Sequence, residues 1–236
     1  MELYRFLHQQ GFGSRKECRQ LVEYGLVELS GSACDDWRLD VDPAALSGLV
    51  VDGEPWTPLT GPLYLLLNKP AGYETSHKPM HNPTVYGLLP WQFVNRGVSA
   101  VGRLDVDTTG LLLFSSDGQF VHALTSPKRH VPKCYLATVK HPLTDAQLNA
   151  LRAGVYLKDD DERVVADEAV ADDAHTLRLT ISQGKYHQVK RMVAAAGNRV
   201  TALHRVSLGA LRLDDLPEGQ WRHLTGEELA ALGVLC

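Results

Sequence analysis

Asp105 and Asp107 stand two residues apart in VGRLDVDTTGLLLFSSDG (101–118), with Arg103 before them and an apolar run behind. A carboxylate at the mouth of a buried strand can serve as a nucleophile or as a general base. The same residues also suit plainer work, because Asp, Thr and Gly form turns and Asp107 can cap backbone amides. Asp105, Asp107, Thr109 and Gly110 follow the first half of a calcium loop. The place of its bidentate glutamate is held by Ser116, however, and the loop interior is LLLF, so no metal site is expected.

A second segment, ISQGKYHQVKRMVAAAGNRV (181–200), reads as a strand ending at Gly184 and a helix beginning near His187, with Lys185, Lys190 and Arg191 around its first turns. Amides at a helix start attract phosphate, and cations add to that attraction. A solvated basic helix face accounts for the cations equally well. Tyr186 and His187 beside them supply aromatic planes on which exposed bases stack.

The chain carries 24 Lys/Arg against 28 Asp/Glu, a formal charge of -4, which excludes a protein that coats nucleic acid nonspecifically. The local distribution differs. Gln119 to Lys140 holds four Lys/Arg and no acid, and Gln183 to Val206 holds five Lys/Arg, two His and no acid. The two windows predict one concentrated anion-binding surface.

The elements that must position these groups read as a mixed α+β sheet fold. Helical spacing at Leu3, Phe6 and Leu7 precedes a second helix that Ser14 caps and Gly25 ends, and GLVELSG reads as a short strand and turn. DGEPWTPLTGP, rich in Pro and Gly, predicts a linker and a domain boundary near residue 60. Strand signals follow at 63–68, 110–114, 134–139 and 175–181, with helices at 144–153, 187–196 and 226–232 in no regular alternation. No stretch approaches the roughly 18 apolar residues of a membrane span, and MELYRFLHQQ lacks the order of a secretory signal, so a cytoplasmic protein is expected. Cys18, Cys34, Cys134 and Cys236 form no CxxC pair and read as reduced structural thiols.

Five segments in order, NKPAGY (68–73), GRLDVDTTGLLL (102–113), SPKRHVPKCYL (126–136), GKYHQVKRM (184–192) and LHRVSLG (203–209), resemble the motifs of the RsuA/RluB/RluE/RluF group of pseudouridine synthases. The resemblance spans residues 63–228. DTTG, SPKRH and KYHQVKRM bring it nearest to the branch acting on small-subunit ribosomal RNA. GFGSRKECRQLVEYGLVELSG is similar to a small alpha-L RNA-binding domain, which implies such a domain and linker over 1–60 and a pseudouridine synthase catalytic domain over 61–236, with a mixed, largely antiparallel sheet flanked by helices. Where the family start has Arg-Leu-Asp-Lys, this chain has Glu2-Leu3-Tyr4-Arg5, and residues 1–60 hold five Lys/Arg against ten Asp/Glu. That restricts RNA contacts there to Arg15, Lys16 and Arg19.

The resemblance implies isomerisation of one uridine to pseudouridine without cofactor, metal or net redox change. Asp105 is the implied catalytic carboxylate, either attacking the anomeric carbon of the ribose or removing the sugar proton that leads to a glycal. Lys190 is the implied basic partner that keeps it ionised, and Tyr135 the residue that stacks on the target base. RNA binding falls to Arg103, Lys128, Arg129, Lys133, Lys185, His187 and Arg191. The implied partner is small-subunit ribosomal RNA or the assembling small subunit, bound by a monomer. The alternatives are the same reaction on large-subunit RNA, or a non-catalytic assembly factor that only binds ribosomal RNA. A glycosidic-bond hydrolase would need two carboxylates facing across the substrate.

Overall fold

The computed structural model describes residues 1–157 and 160–233; Cys236 lies outside them. The chain divides into two compact units, Met1–Leu63 with Leu89–Val98, and Tyr64–Leu88 with the chain from Ser99 onward.

The first unit opens with α1 (Leu3–Gln9) and α2 (Arg15–Glu23). Ser14 caps α2 by accepting from the Glu17 amide, and the Glu17 carboxylate accepts from the Ser14 amide in return. Leu3, Phe6, Leu7, Cys18 and Val22 bury one face of the helix pair. They pack with residues of β1 (Val27–Leu29), β3 (Leu49–Val51) and β4 (Glu54–Trp56), which with the exposed β2 (Ser32–Ala33) form an antiparallel sheet ordered β2-β1-β3-β4. The expected linker is therefore corrected in its first half. Asp52 and Gly53 both have positive φ, 52° and 78°, the backbone of a two-residue hairpin turn, and they return β3 into β4. A short helix, α3 (Trp91–Asn95), completes the unit.

The second unit carries β5 (Tyr64–Lys69), β6 (Ser99–Ala100), β7 (Thr108–Ser115), α4 (Gly118–Thr125), β8 (Lys133–Val139), α5 (Asp145–Ala153), β9 (Val155–Leu157) and β10 (Glu162–Val164). It continues through β11 (Glu168–Ala171), β12 (Thr176–Ile181), α6 (Gln188–Ala195), β13 (Val200–Leu208), β14 (Leu211–Arg212), β15 (Trp221–His223) and α7 (Gly226–Ala231). Nine strands form one mixed sheet ordered β11-β12-β8-β13-β7-β5-β15, with β14 on β13 and β6 on β7. Among the described strands of this sheet only β13 and β7 pair in parallel. Leu65–Leu67 of β5 and Leu111–Phe114 of β7 are fully buried, as expected of strands covered on both faces. The mixed α+β architecture read from the sequence is the one observed. Among the described residues no helix is long and apolar enough to cross a membrane.

The parallel contact fixes one glycine. Gly110 has φ +100°, and a Cβ there would lie 2.3 Å from the Arg205 carbonyl oxygen, so β7 and β13 approach as closely as they do only with glycine at this position.

Candidate active site

Asp105 lies on the turn that feeds β7, and the NKPAGY segment holds that turn in place. Lys69, fully buried at the end of β5, donates from Nζ to the carbonyls of Pro70 (2.9 Å), Val106 (3.2 Å) and Thr108 (2.9 Å). The Gly72 amide donates to the Val106 carbonyl at 2.8 Å, and the Thr75 hydroxyl to that of Leu104 at 3.0 Å. Burial pushes the Lys69 ammonium down to about 8, against the pull of the Asp107 and Asp105 charges. The motif's lysine is thus a brace for the aspartate turn, a task its sequence position did not reveal.

The Lys190 ammonium from α6 and the His187 imidazole at its N-terminus meet the two oxygens of Asp105. Lys190 Nζ lies 3.3 Å from Oδ2, and His187 Nε2 lies 3.3 Å from Oδ1. Lys190 also bonds Asp107 Oδ1, at 2.6 Å, so the lysine expected to serve Asp105 is shared and sits nearer to its neighbour. Burial works to lower the Lys190 pKa, but its hydrogen bond to Asp107 and the charges of both aspartates raise it above the ordinary value. The Lys190 hydrogen bond in turn holds Asp107 below the usual carboxylate range. The Asp105 side chain is 29% exposed and that of Asp107 72%, so the two carboxylates occupy different environments rather than facing each other across a substrate.

Asp105 lines a cleft of about 410 Å³ together with Arg103, Lys133, Tyr135, Lys185 and His187. Tyr135 is buried in its wall, and burial, followed by the charge of Arg205, pushes Lys133 down to about 8. Tyr186, 70% exposed, stacks on the His187 ring at 3.8 Å. Lys128 and Arg129 are exposed on the short turn Pro127–Arg129, between the cleft residues Pro127 and His130. Among the described residues no group of His, Cys, Asp or Glu is arranged to hold a metal ion.

The expected anion-binding surface needs correction at two cations. Lys185 is ion-paired with Glu162, and Arg191 Nη1 lies 2.9 Å from Asp160 Oδ2. Both acids fall outside the acid-free window and reach it through the fold. In the first unit Arg15 and Lys16 are exposed, whereas the Arg19 guanidinium lies over the rings of Tyr4 and Trp37, at 4.5 and 4.6 Å. The sequence reading also passed over Arg205, quoted only as part of LHRVSLG. It is buried and lines the cleft.

Comparison with known proteins bears on this site. The model of a family described as RNA pseudouridylate synthase matches residues 63–195. The chain is 40% identical over 235 residues to the ribosomal small subunit pseudouridine synthase A of Yersinia pestis, covering 99% of each. It is 39% identical over 235 residues to the protein of that name from Escherichia coli strain K12, covering 98% of this chain and 100% of the relative. A crystal structure of a pseudouridylate synthase superimposes with a TM-score of 0.69 at 34% identity, over 98% of this chain and 99% of the other.

Proposed function

The chain belongs to the RNA pseudouridylate synthase family, and from that membership we propose that it isomerises one uridine of small-subunit ribosomal RNA through Asp105. The observation that carries the reading is the Asp105 carboxylate, set at the cleft with a cation or imidazole on each oxygen. The Lys190 ammonium stands 3.3 Å from it, and both available routes require the carboxylate to be ionised. As a nucleophile it attacks the ribose C1′, and the electron pair of the C1′–N1 bond departs with the base. As a base it removes the C2′ proton and the same bond breaks to give a glycal. In either route the freed uracil turns and C5 bonds to C1′; the C1′–carboxylate bond breaks in the first route and the proton returns to C2′ in the second, while the C5 proton leaves and N1 takes one up.

The reacting uridine has to leave its stack, at a cost of a few kcal/mol that stacking on Tyr135 and phosphate contacts at the rim offset. Arg103, Lys128 and Arg129 are exposed at or beside that rim, and His187 with Tyr186 offers a stacking surface. The reading includes action as a monomer in the cytoplasm, on RNA or on assembling subunits. A large-subunit target is the competing reading. The test is to incubate the protein with deproteinised small-subunit RNA, large-subunit RNA and assembling small subunits, and to map pseudouridine by carbodiimide treatment and primer extension. One new stop in small-subunit RNA is expected, absent with Asp105→Asn, which still binds RNA. A stop only in large-subunit RNA overturns the substrate, and substantial turnover by Asp105→Asn overturns the role of the aspartate.

A further inference from the structure

We propose that Arg205 donates a hydrogen bond to a ring carbonyl of the target uracil and stabilises the negative charge that builds on the base as its bond to the ribose breaks. This rests on the reading of the cleft as the site of pseudouridine formation.

Arg205 is only 2% exposed, yet it lines the cleft. In the antiparallel pairing of β13 with β8 it stands directly opposite Tyr135, and residues opposed in this way project from the same face of the sheet. Its Nε donates to the Leu111 carbonyl at 2.7 Å, which fixes the plane of the guanidinium. Its Nη2 is buried and has no hydrogen-bond partner. A guanidinium carries five N–H donors and cannot shed its charge, so an idle donor in a buried site is costly unless an acceptor arrives.

The electrostatics point the same way. Among the described residues no carboxylate pairs with Arg205, and the charge it acts on is another cation, Lys133, whose pKa it helps to lower. A buried cation without a protein counter-ion is unfavourable, and an acceptor brought by the substrate would offset that cost. A phosphate would meet the exposed Arg103, Lys128 and Arg129 first. A flat base is the part of the nucleotide that reaches the buried wall where Tyr135 lies.

The chemistry needs such a donor there. When C1′–N1 breaks, the electron pair stays on N1 and spreads to O2 and O4 of the uracil ring. When C5 bonds to C1′, the carboxylate leaves C1′ or the proton returns to C2′; the C5 proton then departs, N1 takes up a proton, and the carbonyls return to neutrality. Nothing is oxidised or reduced. A preorganised N–H aimed at O2 or O4 favours the detached anion over the neutral bound base, so it lowers the barrier more than it strengthens binding.

The test compares wild type, Arg205→Met and Arg205→Lys in single-turnover assays on RNA carrying uridine, 2-thiouridine or 4-thiouridine at the target. Arg205→Met should slow uridine turnover by roughly 100-fold with RNA affinity changed less than about threefold, and Arg205→Lys should recover part of the loss. Sulfur at the contacted carbonyl should slow wild type by roughly tenfold and leave Arg205→Met unaffected, because the weakened bond is already absent. If thermal melting shows Arg205→Met to be poorly folded, the oxygen-to-sulfur ratio in Arg205→Lys carries the comparison. A wild-type rate in Arg205→Met, or thio effects equal in wild type and variants, overturns the inference while pseudouridine formation stands. Absence of pseudouridine from wild type on uridine RNA overturns both.

Discussion

Arg19 in the first unit lies over two aromatic rings and Arg205 in the second stands opposite Tyr135 on the neighbouring strand, yet they use their charge in opposite ways. Arg19 lies over Tyr4 and Trp37, and Arg38 lies 4.5 Å from the same tryptophan ring. Arg5 is bonded to Tyr4 and paired with Glu2 at 2.8 Å. Three of the five cations in residues 1–60 are therefore held by their own unit, which leaves Arg15 and Lys16 in an acidic surround. In the second unit Arg205 and Lys133 line the cleft with no ion pair to a carboxylate among the described residues, Lys133 donating instead to the Val131 carbonyl at 2.7 Å and Arg205 to that of Leu111. Counting cations in a sequence does not separate those that stabilise a fold from those that wait for a ligand. Their partners do.

The comparison breaks first at Lys190. If the cleft's cations exist to keep Asp105 charged and placed, Lys190→Met should lower the single-turnover rate on uridine RNA by 100-fold or more, while RNA affinity falls by no more than about fivefold. A rate within threefold of wild type would mean that His187 and water suffice. Lys69→Met probes the brace beneath. It leaves the carbonyls of Val106 and Thr108 without their donor in a buried site, and should cost about 3 kcal/mol in chemical denaturation as well as slowing turnover. Unchanged stability would show that the turn holds itself.

Removing the exposed rim charges is the next largest effect. Lys128 and Arg129 carry no ion pair among the described residues, so changing both to Gln should weaken RNA binding by roughly tenfold and reduce the salt slope of binding by about 2. An unchanged slope would move the phosphate contacts elsewhere.

A smaller effect separates the buried cations by pH. Lys133 and Lys69 both titrate near 8, below the ordinary lysine value of 10.5, because burial disfavours their charge. The charge is present below about 8 and is lost as pH rises through it. Turnover should therefore fall several-fold from pH 7.5 to 9. Thermal stability should rise between 8 and 10.5, where the unfolded chain binds more protons than the folded one. Lys133→Arg stays charged and should flatten the fall in turnover; an unaltered profile assigns the limb to another group.

How much of this was legible in the sequence follows from what each feature depends on. β5, β7, β8 and β12 announce themselves as apolar runs, and the Ser14–Glu17 cap is a local pattern. The pairing of Asp105 with Lys190 was implied by the family resemblance rather than by the residues themselves, and the fold sets the two 3.3 Å apart. β13 was not read as a strand, although it is nine residues long and central, because Thr201, His204, Arg205 and Ser207 interrupt its apolar pattern. A buried arginine leaves no mark in hydrophobic periodicity, and its burial follows from β7 and β8 closing on either side. Glu162 and Asp160 neutralise cations more than twenty residues away, and the assignment of Leu89–Val98 to the first unit is likewise a product of tertiary contacts.

The smallest predicted effect is the one that tests the first unit. Arg15 and Lys16 begin α2, where a helix start favours negative charge, and Glu17 follows them directly. Within a segment of ten acids and five bases, two exposed cations yield little net attraction for a phosphate backbone. Changing both to Gln should therefore weaken RNA binding by about twofold or less and leave the salt slope nearly as it was. A loss matching that of the Lys128 and Arg129 pair would mean that these two residues meet phosphates directly despite the acidic surround, and the contrast between the units would then rest on local geometry rather than on charge.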